Sequence, residues 1–176
     1  MSAPIHPTLS ELNAGDRHAF VAALGHLFEH SPWVAEETFD KRPFRDLEAL
    51  HAALCATMRG APVERQLSLV RAHPDLAGRL AQAGKLTASS SREQAAAGLD
   101  RLTAAEMAEI ERLNEAYKSR FGFPFVICAR LNAKETILAA MHTRLTNSGP
   151  AELSTALDEI AKIARLRLNE AMRKEN

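Results

Sequence analysis

The chain has 176 residues, 46% of them apolar and 25% charged, the composition of a soluble globular domain long enough to bury a real core. Lysine plus arginine equals aspartate plus glutamate at 22 each, so no global basic field draws in nucleic acid or anionic lipid. The two cysteines, Cys55 and Cys128, lie in apolar stretches and suggest a reducing compartment rather than a disulfide framework, and no apolar run reaches the ~20 residues of a membrane span.

The N-terminal stretch MSAPIHPTLSELNAGDR lacks the basic flank and apolar run of a signal peptide, and its Thr8…Glu11 pair has the spacing of a capping box. Phe20, Leu24, Leu27 and Phe28 then recur with a helical period. Within that run HLFEH, residues 26–30, matches an H-x-x-E-H metal signature, with His26 and His30 one turn apart on a common helical face. No third ligand stands out, and a histidine in the last turn of a helix is favoured simply by the negative end of the dipole, so the structural reading is preferred.

Leu47, Leu50, Leu54 and Met58 form a second stripe, and Val63, Leu67 and Val70 lead into RAHPDLAGRL, residues 71–80. The residue before a proline is pushed out of the helical region, and proline itself suits the first position of a helix. The pattern therefore predicts one helix ending near Arg71 and a second opening at Pro74, with His73 at the joint beside N–H groups that suit an anion. Such a joint is either a binding site or a plain turn. His-Pro-Asp also occurs in the J-domain co-chaperones, where it follows a strongly basic helix; PVERQLSLVRAH is not rich in lysine.

In SSSREQAAAGLD, residues 89–100, Ser90 and Glu93 have capping-box spacing, so the economical reading is a helix start. That reading leaves unexplained three serines, a glutamate and a glutamine crowded at one helix end, a donor and acceptor set suited to a flat, nitrogen-rich anion. Thr103…Glu106 is another box, followed by the stripe Met107, Ile110, Leu113 and Tyr117. RFGFPFVICAR, residues 120–130, reads as a buried connector whose main-chain groups must find partners in a side chain or a ligand. Its FPFVICA run is the one segment that could be a strand or a buried helical turn. Asn132…Glu135 marks a further start, and Leu153, Leu157, Ile160, Ala164 and Leu168 trace a long last helix. On that helix Arg165 and Arg167 face different directions, so at most one enters a pocket. MRGAP, QAGK, RFGFP and NSGP read as stops. The expectation is an all-α fold, a compact single domain over residues 1–176 with roughly seven to nine helices.

Taken in order, SPWVAE, RAHPDLAG, SREQAAAGLD, LNEAYKSRFGFPFVICAR and IAKIARLRL resemble the decarboxylases of 2-oxo-4-hydroxy-4-carboxy-5-ureidoimidazoline (OHCU) in urate breakdown. The resemblance runs from about residue 31 to residue 168. It implies an all-helical domain, often dimeric, that removes CO2 from OHCU to give (S)-allantoin with no metal or organic cofactor. It places the family's proton-donating histidine on His73 and the adjacent substrate-contacting proline on Pro74. The substrate-binding serine-to-glutamine stretch falls on Ser90, Ser91, Arg92, Glu93 and Gln94, the main-chain contact segment on Phe125, Val126, Ile127, Cys128 and Ala129, and the closing arginine on Arg167.

The residue types fit that chemistry. Decarboxylation leaves an electron pair that the substrate's own C=N and carbonyl can accept, so the protein supplies orientation, a dry pocket and one proton to one face. Histidine, with an ordinary pKa of ~6.5, carries a proton near neutrality. A helix opening at Pro74 would disfavour the charged ring, and Glu93, if it approaches His73, would favour it. Glu93 could instead hold substrate N–H groups. The expected partner is the small-molecule substrate, with no nucleic acid or membrane, and a homodimer is an expectation from the family. A C-terminal MRKEN without a targeting tripeptide makes the cytoplasm the expected compartment, and no residues are left over for a fused transthyretin-like domain. The competing class is a non-enzymatic helical interaction module of the co-chaperone kind.

Overall fold

The computed structural model describes residues 6–78, 81 and 83–173. Among them are nine α-helices and no strand, and the chain divides into two compact units, Met1–Leu69 with Ala161–Asn176, and Val70–Ile160.

In the first unit α1 (Leu9–Ala14) begins at Thr8, whose hydroxyl accepts the Glu11 N–H while the Glu11 carboxylate accepts the Thr8 N–H, the reciprocal box expected. Asp16 caps α2 (Arg17–Leu24) and Asp46 caps α4 (Leu47–Gly60), each through a carboxylate accepting the N–H three residues on. Between them lie α3 (Trp33–Thr38) and a single 3-10 turn, Phe39–Lys41. Phe20, Leu24, Leu50, Leu54 and Met58 are fully buried, each contributing about 1.5–3 kcal/mol of apolar burial. Leu27 and Phe28 are buried too, but from the turns after α2, which ends at Leu24. His26 and His30 thus do not share a helical face, and His30 sits outside any helix with φ 46°. Both the shared-face geometry and the last-turn dipole argument are corrected by that early stop. α5 (Val63–Arg71) starts with Val63, which is 58% exposed rather than part of the core stripe; Leu69 and Val70 carry the burial instead.

The second unit takes the end of α5, then α6 (Ala88–Ala96), α7 (Ala104–Phe121), α8 (Lys134–Arg144) and the first part of α9 (Gly149–Ala171). Ile110, Leu113, Tyr117, Phe125, Ile137, Met141 and Ile160 are buried, and the Tyr117 ring meets Phe125 edge-on at 5.3 Å between centroids. The Thr103–Glu106 box opens α7, and Gly122 closes it in the left-handed region at φ 74°. Several local expectations are corrected. Residues 74–78 form a turn, so no helix opens at Pro74. The cap of α6 is Thr87, whose hydroxyl accepts the Ser90 N–H, leaving Ser90 inside the first turn. Asn132 does not cap α8; its amide donates to the Cys128 carbonyl, and Ala133 precedes the helix without a side-chain bond. NSGP lies in the break it is expected to mark, since α8 ends at Arg144, and its Gly149 also opens α9. FPFVICA is irregular and ends in the 3-10 turn Ala129–Leu131.

Candidate active site

α5 stops at Arg71, because Pro74 pushes its predecessor His73 out of the helical region, and the His73 N–H bonds back to the Val70 carbonyl at 3.1 Å. His73 is buried at 8% exposure. The turn after it is stapled by three side chains of the second unit. Lys118 Nζ donates to Asp75 Oδ2 at 2.7 Å, Asn114 Nδ2 donates to the Leu76 carbonyl at 2.9 Å, and Gln94 Oε1 accepts the Ala77 N–H at 2.8 Å. Ala77 is left-handed at φ 47°, a conformation that costs an alanine about 1–2 kcal/mol and survives because the surroundings hold it. Gly78 follows because a Cβ there would stand 2.7 Å from the Asp75 Cβ.

The Gln94 bond joins two segments that are separate in sequence. On α6, Ser90 and Gln94 are buried one turn apart and Glu93 is half-buried, while Ser91 and Arg92 are exposed. A cavity of about 350 Å³ is walled by Ala77, Ser91, Gln94, Leu99, Asp100 and Met107. Gln94 Oε1 is engaged by the Ala77 N–H, and its NH2 is the donor this side chain can offer a ligand.

Phe125, Val126, Ile127, Cys128 and Ala129 are all buried, and helix-borne side chains hold their main chain. Arg144 Nη1 donates to the Val126 carbonyl at 2.8 Å, and Glu159 Oε2 accepts the Cys128 N–H at 2.8 Å. Arg144 is itself fixed by Glu152, which is completely buried and also accepts from Asn147 and the Tyr117 hydroxyl. Burial, and then donation to Glu152, push the Tyr117 phenol far up and keep it protonated.

Arg167 lies on the part of α9 that belongs to the first unit, 3% exposed, with Nη1 donating to Glu29 Oε2 at 3.0 Å. Arg165 is half-buried and pairs with Glu48 at 2.8 Å, so the two arginines do diverge as their spacing requires. Partial burial, and then the Arg167 charge, lower the His26 pKa.

Sequence reasoning missed Asn114, Glu152, Glu159, Arg144 and Glu29. A signal was present for the two glutamates of α9, which are seven residues apart and so return to one face two turns later, beside the apolar stripe. Glu29 was hidden inside HLFEH, where the spacing of the two histidines dominates the pattern.

A family model described as OHCU decarboxylase matches residues 13–169. This chain belongs to the OHCU decarboxylase family. A relative from Haloferax volcanii named 2-oxo-4-hydroxy-4-carboxy-5-ureidoimidazoline decarboxylase is 44% identical over 168 residues, covering 96% of this chain and 98% of that one. Among solved structures, an (S)-allantoin synthase is similar with a TM-score of 0.75 at 28% identity, over 97% of this chain and 55% of that one. An OHCU decarboxylase solved in the presence of (S)-allantoin is similar with a TM-score of 0.65 at 25% identity, over 89% of this chain and 97% of that one. Membership in the OHCU decarboxylase family removes the co-chaperone alternative, and no described helix is long and apolar enough to cross a membrane.

Proposed function

We propose that this protein decarboxylates OHCU to (S)-allantoin in urate breakdown. The observation that carries the reading is the seating of the serine-to-glutamine helix on the His-Pro-Asp turn through Gln94 and Ala77, in a chain of this family. As the C–COO⁻ bond breaks, CO2 leaves and its electron pair moves into the adjoining C=N and carbonyl of the ring, so the substrate is its own electron sink. His73 then gives a proton to that carbon on one face, the pair returns to form the C–H bond, and the neutral imidazole regains a proton from solvent. Glu93 favours the charged ring as its coupled partner. Because residues 74–78 form a turn, the dipole of a helix opening at Pro74 does not oppose that charge.

Pro74 fixes the backbone at the proton donor. Ser90, Ser91, Glu93 and Gln94 bind the ureido and ring groups, with Arg92 the outermost of these contacts. The main chain of Phe125–Ala129 supplies further donors and acceptors, and Arg167 supplies forked N–H groups. A strong grip on the departing carboxylate would only stabilise the ground state, so Arg167 serves best on a group that persists into product.

The test uses freshly generated OHCU, which decays slowly to racemic allantoin by itself. The protein should accelerate its loss and build a circular-dichroism signal of one hand; a racemic product at the spontaneous rate overturns the reading. A homodimer in the cytoplasm is part of the same proposal, and a monomer mass by light scattering would overturn the dimer alone.

A further inference from the structure

We propose that Glu159 and the Arg144–Glu152 pair are positioning residues that turn the N–H and C=O of Ile127 toward the substrate. The proposal rests on the decarboxylase reading, and it deepens it by saying which main-chain groups of the connector do the binding and what aims them. A trans peptide holds its C=O and N–H on opposite sides of one plane. The plane between Val126 and Ile127 is fixed by its carbonyl, which accepts from Arg144 Nη1 at 2.8 Å, so the Ile127 N–H must point away from Arg144. The plane between Ile127 and Cys128 is fixed by its N–H, which Glu159 Oε2 accepts at 2.8 Å, so the Ile127 carbonyl must point away from Glu159.

Those two Ile127 groups have no hydrogen-bond partner among the described residues, although the residue is only 8% exposed. A buried donor and acceptor left unmatched are costly and call for a polar occupant. A donor and an acceptor presented by one residue suit the alternating N–H and C=O of a ureide ring. Two carbonyls that follow are already consumed: that of Cys128 accepts from Leu131 N–H and the Asn132 amide, and that of Ala129 accepts from Asn132 N–H. What sets Ile127 apart is that both peptide planes flanking it are anchored by side chains.

The anchors are stiff. Arg144 gives Nε to Glu152 at 2.7 Å while its guanidinium lies 4.2 Å from the centre of the Phe125 ring, so its remaining edge has one orientation. Glu152 and Glu159 stand two turns apart on α9, a rigid element rather than a loop.

The experiment compares wild type, Glu159→Gln and Glu159→Leu with freshly generated OHCU. Glutamine keeps an oxygen for the Cys128 N–H; leucine removes it. Loss of aim at the Ile127 carbonyl should raise KM about tenfold in Glu159→Leu with kcat changed less than about threefold, and Glu159→Gln should recover most of the loss. The Cys128 amide should exchange with solvent faster in Glu159→Leu only. Arg144→Lys, which loses the fork, should shift KM in the same direction. A merely structural Glu159 would lower Tm and leave KM of the folded protein alone, and that result overturns the inference while decarboxylation by wild type stands. No turnover by wild type overturns the decarboxylase reading and this inference with it.

Discussion

Gln94 Oε1 accepts the N–H of Ala77 at 2.8 Å, and this one bond fastens the helix after Thr87 to the turn after His73. An N–H in the left-handed region is turned out of the local chain path, where it needs a partner from elsewhere. The side chain that provides it is at once a backbone support and part of the residue that walls the 350 Å³ cavity.

Replacing Gln94 by Met keeps the bulk and strands a buried N–H, so stability should fall by about 1–3 kcal/mol in denaturant titration. The kcat/KM for OHCU should fall further than that loss of folded protein explains. Ala77→Gly, which relieves the left-handed cost but loosens the unfolded chain, should stay within about 1 kcal/mol of wild type.

His73→Asn should abolish turnover of OHCU while far-ultraviolet circular dichroism stays at the wild-type level. Glu93→Gln should alter the pH profile of kcat, because the charge is lost while the cap, which belongs to Thr87, is untouched. Near-normal kcat in His73→Asn removes it from the mechanism, and an unshifted profile in Glu93→Gln dissolves the pair.

Arg167 and Glu29 are each buried to within 4% exposure and bonded at 3.0 Å. Glu29→Ala leaves a buried guanidinium without its counter-charge and should cost about 3–5 kcal/mol of stability. Arg167→Lys keeps the charge but not the fork, so kcat/KM should drop more than Tm; unchanged kcat/KM would mark a purely structural arginine.

The Glu106 carboxyl is held down to about 2 from its ordinary 4.5, chiefly by the Lys134 ammonium and the Thr103 N–H. A carboxyl whose pKa is depressed on folding stabilises the native state above its unfolded value, and that contribution fades as pH falls from about 4.5 toward 2. Thermal melts of Glu106→Gln should therefore lose less Tm across that window than wild type, while the two behave alike in their slope above about pH 6.

Much of the helical layout was legible because caps and stripes are local. Thr8, Thr103 and the proline after His73 act on neighbours at most four residues away, and the structure obeys them. Ser90 misled because Thr87 offers the same hydroxyl three residues earlier, and the helix took the earlier cap. The opening at Pro74 failed because Lys118, Asn114 and Gln94 claim the turn from far along the chain. For the site, the segments were readable as segments, but their supports were not. A glutamate at 152 or 159 looks solvated until the folded chain brings Arg144 or the Cys128 N–H to it.

Asp75, the last letter of His-Pro-Asp, is tied inward by Lys118 at 2.7 Å. In this protein that acid works as a tether for its own loop and is not held out for a visitor to grasp. The three letters thus describe a local shape that unrelated scaffolds can adopt for different ends, and a tripeptide search would file them together. What separates such look-alikes is whether a cation from the same chain stands opposite the acid, which a substitution of Lys118 would expose as a loosened loop.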